Sequence, residues 1–214
     1  MADRIAVIDY GMGNLYSVSR ALEHVAESGL VELTSDPARV AAADRVVFPG
    51  QGAMPDCMRE MEARGLRPAV LDAARSKPFL GICIGLQMLF DSSEEGETAG
   101  LGVLRGRVRR FAAAETRTAG GDRLKVPHMG WNQVRQQGRH PLWSGIADDA
   151  RFYFVHSYFP EALLDPEVVQ GVTTYGVPFT CAVARDNIFA VQFHPEKSQS
   201  AGLRLLANFI HWNP

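Results

Sequence analysis

Two short stretches, far apart in the chain, carry residue types able to attack a carbonyl. Residues 79–87 read Phe-Leu-Gly-Ile-Cys-Ile-Gly-Leu-Gln, and residues 191–198 read Val-Gln-Phe-His-Pro-Glu-Lys-Ser. Cys83 offers a nucleophile, His194 a base and Glu196 a carboxylate to orient that base. Cys83 sits between Gly81 and Gly85, after a short apolar run and before a helix-like one. That is the pattern of a nucleophile elbow, in which a strand turns sharply into a helix. Glycine tolerates the unusual backbone angles and close approach of such a turn. A helix start behind the sulfur favours negative charge on it. His194 and Glu196 stand two apart at the end of an apolar strand pattern, and alternate residues of a strand share a face. Pro195 fixes one backbone angle between them. A Cys83–His194–Glu196 triad is the first expectation.

A thiolate adding to a carbonyl creates an oxyanion, which needs preset N–H donors. The residue after an elbow nucleophile points its N–H there, so Ile84 is one donor. Pro49-Gly50-Gln51-Gly52 can supply a second, its identity left open among Gly50, Gln51 and Gly52. Loss of one such donor typically removes about 3 kcal/mol of transition-state stabilisation. Cys57 and Cys181 lack the glycine brackets and read as inert core. A histidine–carboxylate metal site at His194 and Glu196 lacks further ligands at suitable spacing. His24, His128, His140, His156 and His211 form no metal-ligand pattern, and no metal is expected. Gly11-Met12-Gly13-Asn14 fails the dinucleotide fingerprint because Tyr16 takes the third glycine position. With no phosphate loop either, no cofactor is expected.

The elements that must hold these residues alternate in type along the first half. Arg4 to Asp9 reads as a strand and Leu15 to Glu27 as a helix. Val31 to Thr34 and Arg45 to Phe48 follow as strands, then helices from about Pro55 to Ala63 and Arg67 to Ser76. Phe79 to Ile82 is the strand before the elbow, and Leu86 to Phe90 the helix after it. This alternation predicts an α/β fold, a doubly wound, mostly parallel sheet flanked by helices. Ligands in such sheets bind beyond the strands' carboxyl ends, where Cys83 and Pro49 to Gly52 fall. The second half reads as strands at Val103 to Phe111, Leu124 to Arg135, Phe152 to Tyr158 and Val168 to Thr174. A hairpin follows from Phe179 to Phe193, and Gly202 to Trp212 closes as a helix. These strands are expected as antiparallel additions to the same sheet. Residues 112–123 lack apolar periodicity and read as an exposed loop.

Composition narrows the function classes. At 214 residues, with 46 % apolar and 21 % charged residues, the chain suits one globular domain spanning 1–214. A net charge of −2 without long charged blocks gives no reason to expect nucleic acid or a membrane as partner. Three scattered cysteines argue for a reducing compartment. The N-terminus reads as a first strand, not a signal peptide, which makes the cytoplasm the expected location.

The motif around Cys83, with Phe-His-Pro-Glu, resembles the class I, triad-type glutamine amidotransferases. Three further stretches resemble the glutaminase subunits of imidazole glycerol phosphate synthase. They are Asp9-Tyr10-Gly11-Met12-Gly13-Asn14-Leu15, Lys125-Val126-Pro127-His128-Met129-Gly130-Trp131-Asn132 and Phe152-Tyr153-Phe154-Val155-His156-Ser157-Tyr158. The resemblance spans essentially the whole chain. Gln51, where many relatives carry Val, and the long 112–123 loop depart from it. It implies hydrolysis of glutamine to glutamate and ammonia. The ammonia would pass to a (β/α)8-barrel cyclase subunit that makes imidazole glycerol phosphate and an aminoimidazole carboxamide ribotide in histidine synthesis. Gln87, one helical turn beyond Cys83, faces the same side and is expected to bind the substrate's amino-acid end. By resemblance Ser157 and Tyr158 help through main-chain groups. The docking face is expected at Asn14, Met129, Trp131, Tyr153 and Lys197, with core packing the competing role for Met129 and Trp131. A free-standing cysteine hydrolase, a silent binding module and the amidotransferase of pyridoxal phosphate synthase are the rival readings.

Overall fold

A computed structural model of the chain describes residues 3–13, 15–26, 29–118, 120–161 and 166–214. The first half builds a parallel core. It runs β1 (Arg4–Ile8), α1 (Leu15–Val25), β2 (Leu30–Thr34), α2 (Pro37–Ala42), β3 (Arg45–Phe48), α3 (Met54–Ala63), α4 (Arg67–Ser76), β4 (Phe79–Ile82) and α5 (Ile84–Met88). Then come β5 (Ser92–Ser93), β6 (Thr98–Ala99), β7 (Arg107–Arg110), β8 (His128–Gln136), β9 (Ala150–His156), β10 (Tyr158–Pro160), β11 (Val169–Tyr175), β12 (Val177–Arg185), β13 (Ile188–Val191) and α6 (Gln199–His211).

The main sheet has nine strands in the order β2-β1-β3-β4-β13-β12-β11-β8-β9. From β2 to β13 neighbouring strands run parallel, and from β13 to β9 they run antiparallel. Strands β3, β4 and β13 are buried at every position, as a parallel sheet covered on both faces requires. α1 packs on α6, and α2 on α4. On α1 the buried Leu15, Val18, Ser19 and Leu22 repeat at helical spacing and form its inward stripe.

Three expectations need correction. The strand expected at 103–111 is only Arg107–Arg110, and it leaves the main sheet. It joins a second sheet, ordered β10-β7-β5-β6. Gly102 and Gly106 hold φ of 63° and 122° and break the run before it. The strand expected from Leu124 starts at His128, just after Pro127, which has no N–H for a ladder. The strand expected from Phe152 to Tyr158 divides at Ser157. β9 stays in the main sheet and β10 enters the second, so Ser157 marks the passage between them. Helix α2 was not expected. Its signal is local: Asp36 Oδ1 accepts from Ala38 N–H at 2.8 Å, Pro37 opens the helix, and only Val40 is buried. One hydrophobic core nevertheless runs through both sheets, including Val108 and Phe159 of the second.

Candidate active site

Four loops at the carboxyl ends of β1, β3, β4 and β13 converge. Cys83 joins β4 to α5 with φ 55° and ψ −108°, an angle pair that ordinary residues avoid. The bracketing glycines are obligatory. A Cβ on Gly85 would lie 1.8 Å from the Phe48 carbonyl oxygen, and one on Gly81 would lie 2.9 Å from Ala190 Cβ. The Cys83 N–H donates to the Val191 carbonyl at 2.8 Å, which ties the elbow to β13. Ile84 is the first residue of α5, so its N–H has no acceptor within the helix.

His194 Nδ1 and Glu196 Oε1 are 2.8 Å apart, with both side chains almost wholly buried. The pairing agrees with expectation, but its cause differs. The strand ends at Val191, and a short 3₁₀ turn over Pro195–Lys197 carries Glu196 back beneath the imidazole. Ser198 Oγ donates to the His194 carbonyl at 2.6 Å and accepts from Tyr153 N–H at 2.9 Å, which fixes the ring's backbone. His194 Nε2 is buried and has no hydrogen-bond partner among the described residues. Burial alone would lower the His194 pKa. The negative charge of Cys83 and the bond to Glu196 outweigh it and push the ring up to about 10. An ionised Cys83 and the carboxylate of Glu196 thus both favour the protonated ring. Burial raises the Cys57 thiol to about 11 and holds Cys181 far above the usual thiol range, which fits their reading as core residues.

Pro49 to Gly52 lies against Cys83, His194 and Glu196. Tyr10 Oη donates to the Pro49 carbonyl at 2.8 Å, and Cys57 Sγ lies 3.5 Å from the Gln51 carbonyl. Gly52 holds φ of 103°. Gly13 has no Cβ to crowd the Gln51 backbone nitrogen, which would lie 3.1 Å away. A cavity of about 220 Å³ opens at the sulfur, lined by Gln51, Gly52, Cys83, Ile84, Gln87, Glu95, Pro127, Val155, His156, Ser157 and Tyr158.

Gln87 therefore reaches the cavity, but its amide is already engaged. Nε2 donates to the Tyr158 carbonyl and to Gln192 Oε1, both at 3.0 Å, and Oε1 is buried without a partner. Sequence reasoning missed Gln192 and Glu95. Gln192 is wholly buried, and its Nε2 lies 3.7 Å from Cys83 Sγ. A lone amide inside the apolar run Ile188 to Phe193 was the available signal. Glu95 places a carboxylate at the cavity and accepts from Met54 N–H at 2.8 Å. Nothing in its surroundings in sequence distinguishes it.

The surface residues also gather here. Trp131 pairs with Tyr153 across β8 and β9, their rings 5.9 Å apart, and the Tyr153 carbonyl accepts from His194 N–H at 2.9 Å. Met129 pairs with Val155, a cavity residue. Met129 is 62 % and Trp131 42 % exposed, so neither serves as core packing. Lys197 follows Glu196 in the 3₁₀ turn. Asn14 lies outside the described residues. Among the described residues no group of His, Cys, Asp and Glu has the makings of a metal site, and no helix is long and apolar enough to cross a membrane.

A family model described as class-I glutamine amidotransferase matches residues 6–212. The chain is similar to the imidazole glycerol phosphate synthase subunit HisH of Dechloromonas aromatica, 68 % identical over 98 % of this chain and 97 % of that one. It is also similar to the subunit of the same name from Thiobacillus denitrificans, 64 % identical over 100 % of this chain and 93 % of that one. Among solved structures it resembles PurLQS from Thermotoga maritima, with TM-score 0.72, 17 % identity and 99 % of each chain covered. A glutamine amidotransferase with TM-score 0.70 and 16 % identity, covering 97 % of this chain and 99 % of that one, shares the fold too.

Proposed function

This chain belongs to the class-I glutamine amidotransferase family, among the glutaminase subunits of imidazole glycerol phosphate synthase, and we propose that Cys83, His194 and Glu196 perform its reaction. The observation that carries the proposal is the buried His194–Glu196 pair at 2.8 Å, its free Nε2 beside a nucleophile elbow.

The Cys83 thiolate adds to the side-chain amide carbon of glutamine. The Ile84 N–H and the Gly50–Gln51–Gly52 backbone receive the oxyanion. The tetrahedral adduct collapses to a γ-glutamyl thioester as the His194 imidazolium gives its proton to the departing nitrogen, which leaves as ammonia. The now neutral His194 takes a proton from water, the hydroxide adds to the thioester, and glutamate leaves. The sulfur departs as thiolate and the imidazolium is restored. Glu196 holds His194 Nδ1–H throughout, so Nε2 faces the reacting atoms. Glu95 faces the substrate's ammonium. The Ser157 and Tyr158 main chain receives its carboxylate, and Gln87 braces that segment by its bond to the Tyr158 carbonyl.

Ammonia released into neutral water takes up a proton and loses its nucleophilicity. A partner docked over the site prevents this. The exposed Met129 and Trp131, with Tyr153 and Lys197, offer the docking face for the (β/α)8-barrel cyclase subunit of the synthase. By the sequence resemblance alone, Asn14 joins the residues proposed to meet that partner. One core serving both sheets supports a single domain over residues 1–214, and the biosynthetic role supports a cytoplasmic location. The test is glutamate release from glutamine by the chain alone and with the barrel subunit plus its nucleotide ligand, with Cys83→Ala as control. Strong stimulation that vanishes in the mutant is expected. Activity indifferent to the partner would instead favour a free-standing hydrolase.

A further inference from the structure

The Ser157–Tyr158 segment carries no charged side chain, so its hold on a carboxylate depends on which way its peptide groups point. A file of hydrogen bonds sets that direction. Asn132 Nδ2 lies 3.4 Å from His128 Nε2, and His128 Nδ1 lies 3.1 Å from His156 Nε2. His156 Nδ1 lies 2.8 Å from the Tyr158 carbonyl oxygen, the same oxygen that accepts from Gln87 Nε2. His128 and His156 face each other in register across β8 and β9.

The proton inventory allows one arrangement. Burial lowers His128 to about 4 and His156 to about 3, so both rings are neutral near pH 7 and each carries a single N–H. A carbonyl only accepts, so the His156 proton is on Nδ1. His156 Nε2 then accepts, which places the His128 proton on its Nδ1. His128 Nε2 is left to accept from Asn132, whose amide nitrogen also donates to the Thr174 carbonyl at 2.9 Å. Every donor in the file points inward from the strand that bears Met129 and Trp131.

Two bonds therefore occupy the Tyr158 carbonyl. The Ser157 carbonyl is occupied on the other side by Phe111 N–H at 3.1 Å. In a trans peptide the N–H opposes the C=O, so the Tyr158 N–H is turned away from β7. Both residues line the cavity.

We infer that His156 and His128 are positioning residues for the substrate's carboxylate, and that through Asn132 they couple that end of the cavity to the exposed Met129–Trp131 surface. This rests on the glutaminase reading given above. The competing role is packing alone, since the His128 ring stacks on Phe154 and Tyr175 at 4.8 and 4.1 Å. Aromatic replacement keeps packing and removes the file.

The experiment uses the complex with the barrel subunit and its nucleotide ligand. It compares wild type, His156→Phe, His156→Asn and Asn132→Ala by glutamate release and by alkylation of Cys83. One electrophile is a glutamine-shaped diazoketone bearing the α-carboxylate, and the other is iodoacetamide, which has none. His156→Phe is expected to raise KM about tenfold with kcat within about threefold, the signature of lost ground-state binding. It should slow the diazoketone about tenfold relative to iodoacetamide. His156→Asn keeps a donor near the Nδ1 position and should recover most of that loss. Asn132→Ala, at a half-buried position that spares the core, should raise KM about threefold and weaken stimulation by the partner. Equal slowing of both electrophiles, or an unchanged KM beside a lowered melting temperature, overturns the inference in favour of packing. An unchanged KM and unchanged stimulation in Asn132→Ala overturn the coupling. A wild-type complex that releases no glutamate overturns the glutaminase reading, and the inference with it.

Discussion

The elbow at Cys83 and the passage at Ser157 border the same cavity, yet their backbones are set by different kinds of information. At the elbow the determinants are neighbours in sequence. Gly81 and Gly85 remove the side chains that would collide, and Cys83 takes φ 55° between a strand and a helix. At Ser157 the determinants come from elsewhere: Phe111 N–H, Gln87 Nε2 and the paired rings of His128 and His156. The first is a motif, and the second exists only once strands from three parts of the chain have met. Local determinants are stiff and intolerant. Distributed ones are individually dispensable but jointly adjustable, which suits a segment lying next to the proposed docking face.

The largest expected effect breaks the local region. Gly85→Ala places a Cβ 1.8 Å from the Phe48 carbonyl oxygen, where only backbone can give way. A loss of about 3 kcal/mol or more is expected in urea unfolding, against less than about 0.5 kcal/mol for Ser157→Ala at the other region. Similar losses at both would erase the distinction.

How much was legible follows the same division. The elbow, the turn at Pro49 to Gly52 and the first-half strands and helices other than α2 could be read because period, glycine brackets and motif are all local. The His194–Glu196 pair was legible as a pair, though a 3₁₀ turn and not a continuing strand brings the two together. The split at Ser157 was invisible because Phe152 to Phe159 holds no glycine or proline to mark a break. Only pairing with β8 on one side and β7 on the other divides it. Gln192 was missed, and His128 and His156 were seen as residues but not as a pair, since Gln192 meets Gln87 across 105 positions and the two rings meet across 28.

The distributed region has a pH signature. Both buried histidines titrate below the ordinary value of 6.5, so the unfolded chain binds more protons between that value and their folded pKa values. Their contribution is complete above pH 6.5 and is lost as pH falls toward 4, on the order of 3 kcal/mol for His128 alone. His194 has the opposite sign. Raised to about 10, its contribution is complete below 6.5 and disappears as pH climbs through 10, so it adds nothing to acid sensitivity. His128→Phe should flatten the decline in unfolding free energy between pH 6.5 and 4. An unchanged slope would show that the pair is not protonated on unfolding as described.

Trp131 sharpens the comparison at the surface. At 42 % exposure its indole contributes little to the core, and its ring contact is with Tyr153. Trp131→Ala is expected to weaken binding of the barrel subunit by about 2 kcal/mol, roughly thirtyfold in Kd, while the melting temperature of the isolated chain moves by only about 2 °C. A large stability loss with unchanged affinity would return Trp131 to the core.

The smallest effect separates the two regions by what each does for the substrate. Tyr10 Oη donates to the Pro49 carbonyl at 2.8 Å, and Gly50 packs so closely that a Cβ there would meet the same oxygen at 1.8 Å. Burial, with the nearby Cys57 and Cys83, keeps the phenol protonated by raising its pKa well above the usual range. Tyr10→Phe removes that clasp and loosens the loop proposed to receive the oxyanion, at about 1 kcal/mol of stability. An oxyanion donor helps the transition state more than bound glutamine. The expected result is therefore a kcat lower by about fivefold with KM unchanged. That is the reverse of the pattern expected for His156→Phe, where KM moves and kcat holds. If Tyr10→Phe shifted KM as much as kcat, the oxyanion loop and the carboxylate segment would be one coupled unit, and the division between a local and a distributed region would fail.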